Sequence, residues 1–245
     1  QSTKEKLWVF AVIIIESMFH NAVRILYFLV LVLFNIGKVL LKSDSEHWDM
    51  VFNEREESQL GWFEKDFLQT FRLLNLIPDW QKSTILLPGV GTSKLVEELI
   101  RHGCRLILND ISPEAISKVN SRLLEKKANI TWLCQDISQP LPESSPPVDI
   151  WIDRAVLHFF TDQNDIKGYF ANLKSYLKPG GYAIFAEFSL TGREKCAHLK
   201  LHRYSVDEIS DRLGESFKLI SSFDFTFTNP RGEPRPYIYA LYKRN

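Results

Sequence analysis

The sequence has few cysteines and no excess of charge of either sign. Its 245 residues include only Cys104, Cys134 and Cys196, an odd number at wide spacing. Such cysteines form neither a disulfide framework nor a Cys-x-x-Cys metal site, so we expect reduced thiols and no bound metal. Thirty basic and thirty acidic residues cancel, whereas a sequence-independent nucleic-acid binder needs excess Lys and Arg to displace counterions from phosphate. The composition therefore argues against a nucleic-acid partner and indicates an intracellular domain.

Apolar residues are concentrated in the first 42 positions. The run 22–41 reaches the roughly 20 residues needed to cross a bilayer, and Arg24 and Lys38 lie near its ends, where long side chains can extend to the headgroups. We therefore expect residues 8–41 to form a membrane anchor that leaves the following domain in the cytosol. The alternatives are a helix docked on that domain or on a second copy, which implies a cytoplasmic protein, and a targeting segment.

The remainder of the chain, residues 43–245, has the pattern of an α/β domain. Predicted strands are 85–87, 105–108, 130–133, 149–152 and 182–188, and predicted helices between them are 94–102, 113–126 and 165–177. Strands that alternate with helices of this length indicate βαβ units and a parallel sheet. The last two apolar runs, 218–228 and 236–242, predict an antiparallel hairpin at the sheet edge.

A glycine-rich loop follows the first predicted strand, at residues 88–93. Gly89 and Gly91 allow the backbone to turn sharply and to approach a ligand closely, and the helix N-terminus behind them offers free N–H groups. The alternative is a tight turn without a ligand. A dinucleotide fingerprint would place a third glycine at position 94, which is Lys94. The loop therefore favours a nucleoside ligand without phosphates over NAD.

Aspartates follow the next two predicted strands. Asp110 ends the second strand, about 20 residues after the glycines, where a carboxylate can accept hydrogen bonds from both ribose hydroxyls. Asp136 follows the third strand. Because the carboxyl ends of parallel strands meet at one crevice, these features predict a nucleoside site. The alternative for each aspartate is that it caps the next helix or turn.

With these motifs, residues 46–245 resemble the class I S-adenosylmethionine-dependent methyltransferases. The segments that carry the resemblance are 85–93, 108–113, 134–137, 149–160 and 177–181. It implies a Rossmann-like α/β fold, a seven-stranded sheet with an antiparallel last strand and flanking helices, and S-adenosyl-L-methionine as cofactor. The glycine loop would lie under the methionine part, Asp110 would hold the ribose, and Asp136 and Ile137 would flank the adenine. Cofactor-binding residues expected on this basis are Trp62, Gly89, Gly91, Thr92, Asp110, Ile111, Asp136, Ile137 and Asp153.

The chain departs from the family pattern at Leu87, where most members carry Asp or Glu two residues before the first glycine. This variant is similar to thiol, halide and thiopurine methyltransferases and to some protein-lysine methyltransferases. The contact to the cofactor ammonium must then come from elsewhere, for which Asp153 is a candidate. Segments 47–49 and 61–63 are similar to a lid helix, so we expect Trp62 over the sulfonium, where a cation–aromatic contact contributes about 0.5–2 kcal/mol. The alternative for Trp62 is a core position.

The residues after the fourth strand are the candidates for catalysis. Asp153 would orient the acceptor or the cofactor, and His158 would act as a base or hydrogen-bond partner. The alternatives are an internal Asp153–Arg154 ion pair and a core histidine. A closer resemblance is to a subgroup of small bacterial-type methyltransferases that share the segments 153–156, 158–159, 193–196 and 203–205.

The segment after the fifth strand is where this fold builds its substrate wall. Candidate substrate residues are His158, Cys196, Arg203 and Tyr204; a reactive Cys196 requires a lowered thiol pKa, and the alternative is a buried structural cysteine. We expect a small-molecule methyl acceptor, with a thiol or sulfide first because a useful fraction of it is already ionised near neutral pH. A protein-lysine methyltransferase and a non-catalytic cofactor-binding scaffold are the alternatives.

Overall fold

The computed structural model describes residues 43–123 and 129–245. The helices are α1 (Asp44–Glu54), α2 (Leu68–Leu74), α3 (Leu95–Arg101), α4 (Pro113–Arg122), α5 (Gln163–Tyr176) and α6 (Val206–Leu213). The strands are β1 (Thr84–Leu87), β2 (Arg105–Asp110), β3 (Ile130–Cys134), β4 (Val148–Arg154), β5 (Leu177–Phe188), β6 (Lys195–Cys196), β7 (Leu199–Lys200), β8 (Phe217–Thr228) and β9 (Pro234–Arg244).

Seven strands form one sheet in the order β3-β2-β1-β4-β5-β9-β8. The strands from β3 to β5 are parallel, whereas β9 runs antiparallel to both β5 and β8. This arrangement confirms the predicted Rossmann-like sheet with flanking helices and the edge hairpin. The fifth strand differs from its prediction, since it begins at Leu177 and its pairing with β4 shifts register between Val148 and Ile150. The sequence Lys-Pro-Gly-Gly at 178–181 spans that irregularity.

The sheet is covered on both faces by apolar packing. Neighbouring residues of β1 belong to different clusters, Leu86 to one and Leu87 to the other, because successive strand side chains point to opposite faces. Leu87 is 4% exposed. The position at which most family members carry a carboxylate is therefore part of the core in this chain.

The predicted hydrophobic segment, residues 1–42, lies outside the described residues, and the membrane anchor stays a prediction. Within 43–123 and 129–245, none of the helices combines the length and the apolar character needed to cross a bilayer.

Candidate active site

The glycine loop after β1 has a backbone that requires glycine. Gly89 and Gly91 have φ angles of 49° and 51°, in the left-handed region that residues with a Cβ rarely adopt. A Cβ on Gly89 would lie 2.5 Å from Val156 Cγ2, and one on Gly91 would lie 3.2 Å from Phe52 Cζ. The loop is thus held between the segment after β4 and helix α1, with no space for larger residues.

Asp110 ties this loop to the end of β2. Its Oδ2 accepts a hydrogen bond from Gly91 N at 2.7 Å, and its Oδ1 accepts one from Ser112 N at 2.9 Å. The residue is 5% exposed, and burial raises the pKa of its carboxyl to about 6 although these N–H donors lower it. A carboxylate has about four acceptor sites, so Asp110 retains lone pairs for the hydroxyls of a ribose.

The loop after β3 completes the same edge of the sheet. Asp136 Oδ1 accepts from Ser138 N at 2.8 Å, so this aspartate caps its own turn. Ile137 and Thr92 are buried, whereas Ile111 is half-buried. Because β3, β2 and β1 are adjacent in the sheet, the structure brings the predicted nucleoside-binding residues together.

Helix α1 is fastened beside Asp110 by polar contacts. Asp49 Oδ1 accepts from Ser112 Oγ at 2.5 Å and from Glu114 N at 3.1 Å, and Ser45 Oγ donates to Ile111 O at 2.9 Å. This role of Asp49 was not predictable from the sequence, because its partners lie more than sixty residues along the chain. These contacts place α1 next to the nucleoside-binding edge.

Trp62 belongs to an aromatic cluster with α1. Its ring centroid lies 5.7 Å from that of Trp48 and 6.3 Å from that of Phe52, both edge to face, and Trp48 in turn lies 4.8 Å from Phe159. Trp62 is half-buried. The cluster therefore joins α1 to the segment after β4 and keeps Trp62 close to the glycine loop through Phe52.

Asp153 is fully buried, and its oxygens are engaged. Its Oδ1 accepts from Val156 N at 3.0 Å, and its Oδ2 accepts from Leu157 N at 3.1 Å and Tyr169 OH at 2.6 Å. Burial and the nearby charge of Glu187 raise the pKa of this carboxyl well above its usual range. The geometry makes Asp153 the group that fixes the segment after β4.

Arg154 does not form the ion pair that the sequence suggested as an alternative. Its Nη2 lies 3.1 Å from Glu64 Oε1, so its partner is Glu64 and not Asp153. The next residue, Ala155, has a φ of 70°, which costs energy for a residue with a Cβ. On either side of Ala155, Arg154 contacts Glu64 and Val156 lies beside Gly89.

His158 and Glu187 form a buried pair. His158 Nδ1 lies 2.5 Å from Glu187 Oε2, which also accepts from the His158 backbone N at 3.1 Å. Burial lowers the pKa of His158 to about 3 and raises that of Glu187 to about 8, so both neutral forms are favoured. With His158 only 1% exposed and packed against Phe188, the geometry favours a core histidine.

Glu187 and Tyr169 belong to this network but were not singled out from the sequence. Glu187 lies in an apolar strand, and a single carboxylate inside an apolar run was the available signal. Its charge also raises the pKa of the nearby Asp153 carboxyl. Tyr169 carried no such signal, since a tyrosine in an amphipathic helix is ordinary.

The other predicted substrate residues, Cys196, Arg203 and Tyr204, lie in and around the β6–β7 hairpin. Cys196 is half-buried, and burial raises its thiol pKa despite the nearby charge of Arg235, so the structure favours the structural cysteine over the reactive one. Arg203 Nη1 donates to Gly192 O at 3.2 Å, and Tyr204 is buried with its N donating to Phe188 O at 2.9 Å. Arg203 and Tyr204 therefore hold the segment after β5 in place.

Comparison with known proteins finds similarity to methyltransferases. A family described as "Methyltransferase domain" matches residues 85–181. The chain is 28% identical over 111 residues to nodulation protein S from Rhizobium tropici, with 45% of each protein covered. It is 25% identical over 167 residues to phosphoethanolamine N-methyltransferase 1 from Triticum aestivum, with 66% of this chain and 32% of that protein covered. The alignments thus span less than half the length of these curated relatives.

Solved structures share the architecture. N-methyltransferase NodS from Bradyrhizobium japonicum, in complex with S-adenosyl-L-homocysteine, has a TM-score of 0.61 at 20% identity, with 81% of this chain and 98% of NodS covered. The fold, the glycine loop and the strand-end aspartates define a Rossmann-like nucleoside-binding enzyme domain. Residues 85–181 match a methyltransferase-domain family, and the architecture is that of S-adenosylmethionine-dependent methyltransferases such as NodS. Both findings support the predicted family and cofactor.

The residues present fit this cofactor. Asp110 offers a buried carboxylate to the ribose hydroxyls, the left-handed glycines bring backbone close to a ligand, and Asp136 and Ile137 lie after the neighbouring strand. When bound, S-adenosylmethionine supplies a methyl group activated by its sulfonium charge. This chain would contribute the binding edge formed by the glycine loop and Asp110.

Proposed function

We propose that this methyltransferase acts on a small nucleophilic acceptor, with a thiol or sulfide as the first candidate. The observation that carries the proposal is the state of the two candidate bases: Asp153 and His158 are both buried, and the hydrogen-bond network inside the protein engages them. A group in that position is poorly placed to remove a proton from an incoming acceptor. An acceptor that arrives ionised needs no such group.

A thiol meets this requirement. The thiolate is the nucleophile, and part of a free thiol is ionised near neutral pH. Its sulfur attacks the methyl carbon, a new S–CH₃ bond forms, and the bond from the methyl to the sulfonium sulfur breaks, leaving a methyl thioether and S-adenosylhomocysteine. The protein contributes proximity and alignment, which can supply most of the acceleration in such a displacement.

A lysine acceptor places a heavier demand on the site, because its ammonium must lose a proton before it attacks. Protein-lysine methylation is therefore the second candidate, and a non-catalytic scaffold is the third. Two similar proteins, phosphoethanolamine N-methyltransferase 1 and the N-methyltransferase NodS, are named for nitrogen acceptors. Amines consequently belong in the assay.

The test incubates the protein with methyl-labelled S-adenosylmethionine and separate acceptors. Sulfide and small thiols, small primary amines and a cell lysate form the three arms, with Asp110→Asn as the inactive comparison. Label in a methyl thioether supports the proposal. Label only in the small amines contradicts the thiol or sulfide, and label only on a protein band contradicts a small acceptor. No label in any arm, while the protein binds S-adenosylhomocysteine, indicates a scaffold.

We also propose, from the sequence alone, that residues 8–41 hold the enzyme at a membrane. Deleting residues 1–42 is then expected to move the protein from the membrane fraction to the supernatant. Full-length protein that stays in the supernatant without detergent would contradict the anchor.

A further inference from the structure

Two largely buried guanidinium groups contact the segment that carries Trp62. Arg154, the last residue of β4, donates from Nη1 to the Trp62 carbonyl at 3.2 Å. Arg235, near the start of β9, has its Nη2 3.8 Å from the point that a Cβ on Gly61 would occupy. The two guanidinium groups therefore lie beside consecutive residues, Arg235 beside Gly61 and Arg154 beside Trp62.

The position of this pair relative to the cofactor edge follows from the sheet order. β4 is next to β1 on the side opposite β2, so Arg154 and Asp110 lie on opposite sides of the glycine loop. Only Ala155 separates Arg154 from Val156, whose side chain fills the space beside Gly89. With a ribose held at Asp110, the arginines lie on the other side of the glycine loop, which the ribose leaves open to an acceptor.

Positive charge exceeds negative charge among the ion pairs of this cluster. Glu233 is shared, since Arg235 Nη2 lies 2.8 Å from its Oε2 and Arg193 Nη2 lies 3.0 Å from its Oε1. Glu64 pairs with Arg154. Three guanidinium groups thus share two carboxylates, which leaves the cluster suited to one further anion.

The buried arginines also have unused donors. Arg235 is 7% exposed, and within the part of the chain that the structure describes, neither its Nε nor the Nε of Arg154 has a hydrogen-bond partner. Buried side-chain donors normally have partners, because an unpaired one loses its hydration without compensation. These two donors indicate a ligand that supplies acceptor atoms.

We propose that Arg154 and Arg235 bind an oxyanion of the methyl acceptor, a carboxylate or a phosphate ester, and so select anionic acceptors. A guanidinium presents a planar fork of donors that matches the oxygens of both groups. The inference rests on the proposed function, because it names the acceptor class of that same site. Arg154 and Arg235 are then specificity-determining residues.

The test measures binding by calorimetry to protein saturated with S-adenosylhomocysteine. The wild-type protein is expected to bind 3-mercaptopropionate at least tenfold more tightly than the neutral 2-mercaptoethanol. Arg235→Gln is expected to bring that ratio close to one without changing the affinity for S-adenosylhomocysteine. The matched control is Arg231→Gln, an exposed arginine in the turn between β8 and β9, and it should keep the wild-type ratio.

Propionate and propyl phosphate lack the thiol and separate this inference from the proposed function. If they bind the wild type and lose affinity in Arg235→Gln while no thiol is methylated, the anion site stands and the thiol assignment fails. The tighter of the two identifies a carboxylate or a phosphate ester as the group bound. Failure of all the anionic probes to bind more tightly than 2-mercaptoethanol overturns the inference.

Two further outcomes guard against other roles of Arg235. A loss of S-adenosylhomocysteine affinity in Arg235→Gln would assign the guanidinium to the cofactor and overturn the inference. If that variant does not fold, Arg235→Lys, which keeps the charge but loses the planar fork, decides the question. Its ratio of affinities is expected to fall at least threefold, and an unchanged ratio overturns the inference.

Discussion

Glu187 Oε2 receives two contacts from one residue, the Nδ1 of His158 at 2.5 Å and the backbone N of His158 at 3.1 Å. The strand β5 and the segment after β4 are therefore joined at a single oxygen. The Asp153 carboxyl of the same segment interacts electrostatically with Glu187 and accepts a hydrogen bond from Tyr169 OH at 2.6 Å. The result is a buried polar network beneath the site, in which the neutral forms are favoured because charge is costly to bury.

This network gives the stability a pH dependence. The pKa of Glu187 is raised from 4.5 to about 8 in the folded protein. Its contribution to the free energy of unfolding is therefore complete below pH 4.5 and is lost as the pH rises through 8. Glu187→Gln removes that titration and should flatten the decline. The difference between wild type and variant across pH 6.5 to 8 is at most about 2 kcal/mol, at 1.36 kcal/mol per pH unit. Urea unfolding at both pH values measures it.

The histidine acts in the opposite direction at lower pH. The pKa of His158 is lowered from 6.5 to about 3, so its contribution is present above pH 6.5 and declines as the pH falls toward 3. Measurements above pH 6.5 therefore exclude the titration of His158. Glu215→Gln, on an exposed position, is the control and should follow the wild type. A variant curve for Glu187→Gln parallel to the wild type would show that Glu187 is ionised in the folded state.

Asp110 is expected to control cofactor affinity and its dependence on pH. Asp110→Asn removes the charge that strengthens hydrogen bonds to ribose hydroxyls, and such bonds contribute about 1.5–3 kcal/mol, so S-adenosylhomocysteine should bind at least tenfold more weakly. Because the carboxyl pKa is about 6, wild-type affinity should fall as the pH drops below 6. Calorimetry at pH 7.5 and 5 tests both effects. Asp224→Asn, exposed on β8, is the control, and undiminished binding by Asp110→Asn would remove Asp110 from the site.

The nucleoside-binding edge was predictable because its residues follow directly from the strand pattern. Gly89, Gly91, Asp110 and Asp136 each come after a strand, and parallel strands bring such positions together. The sheet was predictable for the same reason, since alternating strands and helices restrict the topology. Local spacing was sufficient for both.

The interior of the site was not predictable, because its partners are distant in sequence. Asp153 and His158 were singled out as candidates for catalysis, but their burial depends on Tyr169 in α5 and Glu187 in β5. The pairing of Arg154 with Glu64 spans ninety residues of chain. Spacing carries no signal for such contacts, whereas packing in three dimensions determines them.

The glycine loop permits a test that separates backbone strain from steric conflict. Gly89→Ala introduces both, since Gly89 has a φ of 49° and its added Cβ would lie 2.5 Å from Val156 Cγ2. Gly180→Ala introduces only the first, because Gly180 has a φ of 79° and no atom of the described residues within 4 Å of an added Cβ. We expect the free energy of unfolding to fall by about 1–2 kcal/mol in Gly180→Ala and by about 1–3 kcal/mol more in Gly89→Ala.

The double variant Gly89→Ala/Val156→Ala completes this cycle. Removing the two Val156 methyl groups should restore much of the additional loss, so the two substitutions should be non-additive by at least 0.5 kcal/mol. Unfolding in urea gives the free energies. Additive effects would mean that the loop does not rest against Val156.

Asp49 is expected to hold helix α1 over the site. Its Oδ1 receives hydrogen bonds from Ser112 Oγ and Glu114 N, at the start of α4, so Asp49→Ala removes a helix-capping acceptor and the link between the two helices at once. Loss of a cap costs about 0.5–2 kcal/mol. The loss of local stability in α1 should be larger than the loss in the free energy of global unfolding, because α1 contributes only Val51 and Phe52 as buried residues.

Hydrogen exchange measures this local loss. Exchange of the α1 amides should accelerate severalfold while that of β4 and β5 is unchanged, and S-adenosylhomocysteine affinity should fall because Phe52 no longer packs over Gly91. Glu54→Gln, at the exposed end of the same helix, is the control; equal protection of α1 in Asp49→Ala and Glu54→Gln would show that the aromatic packing of Trp48 and Phe52 alone keeps the helix in place.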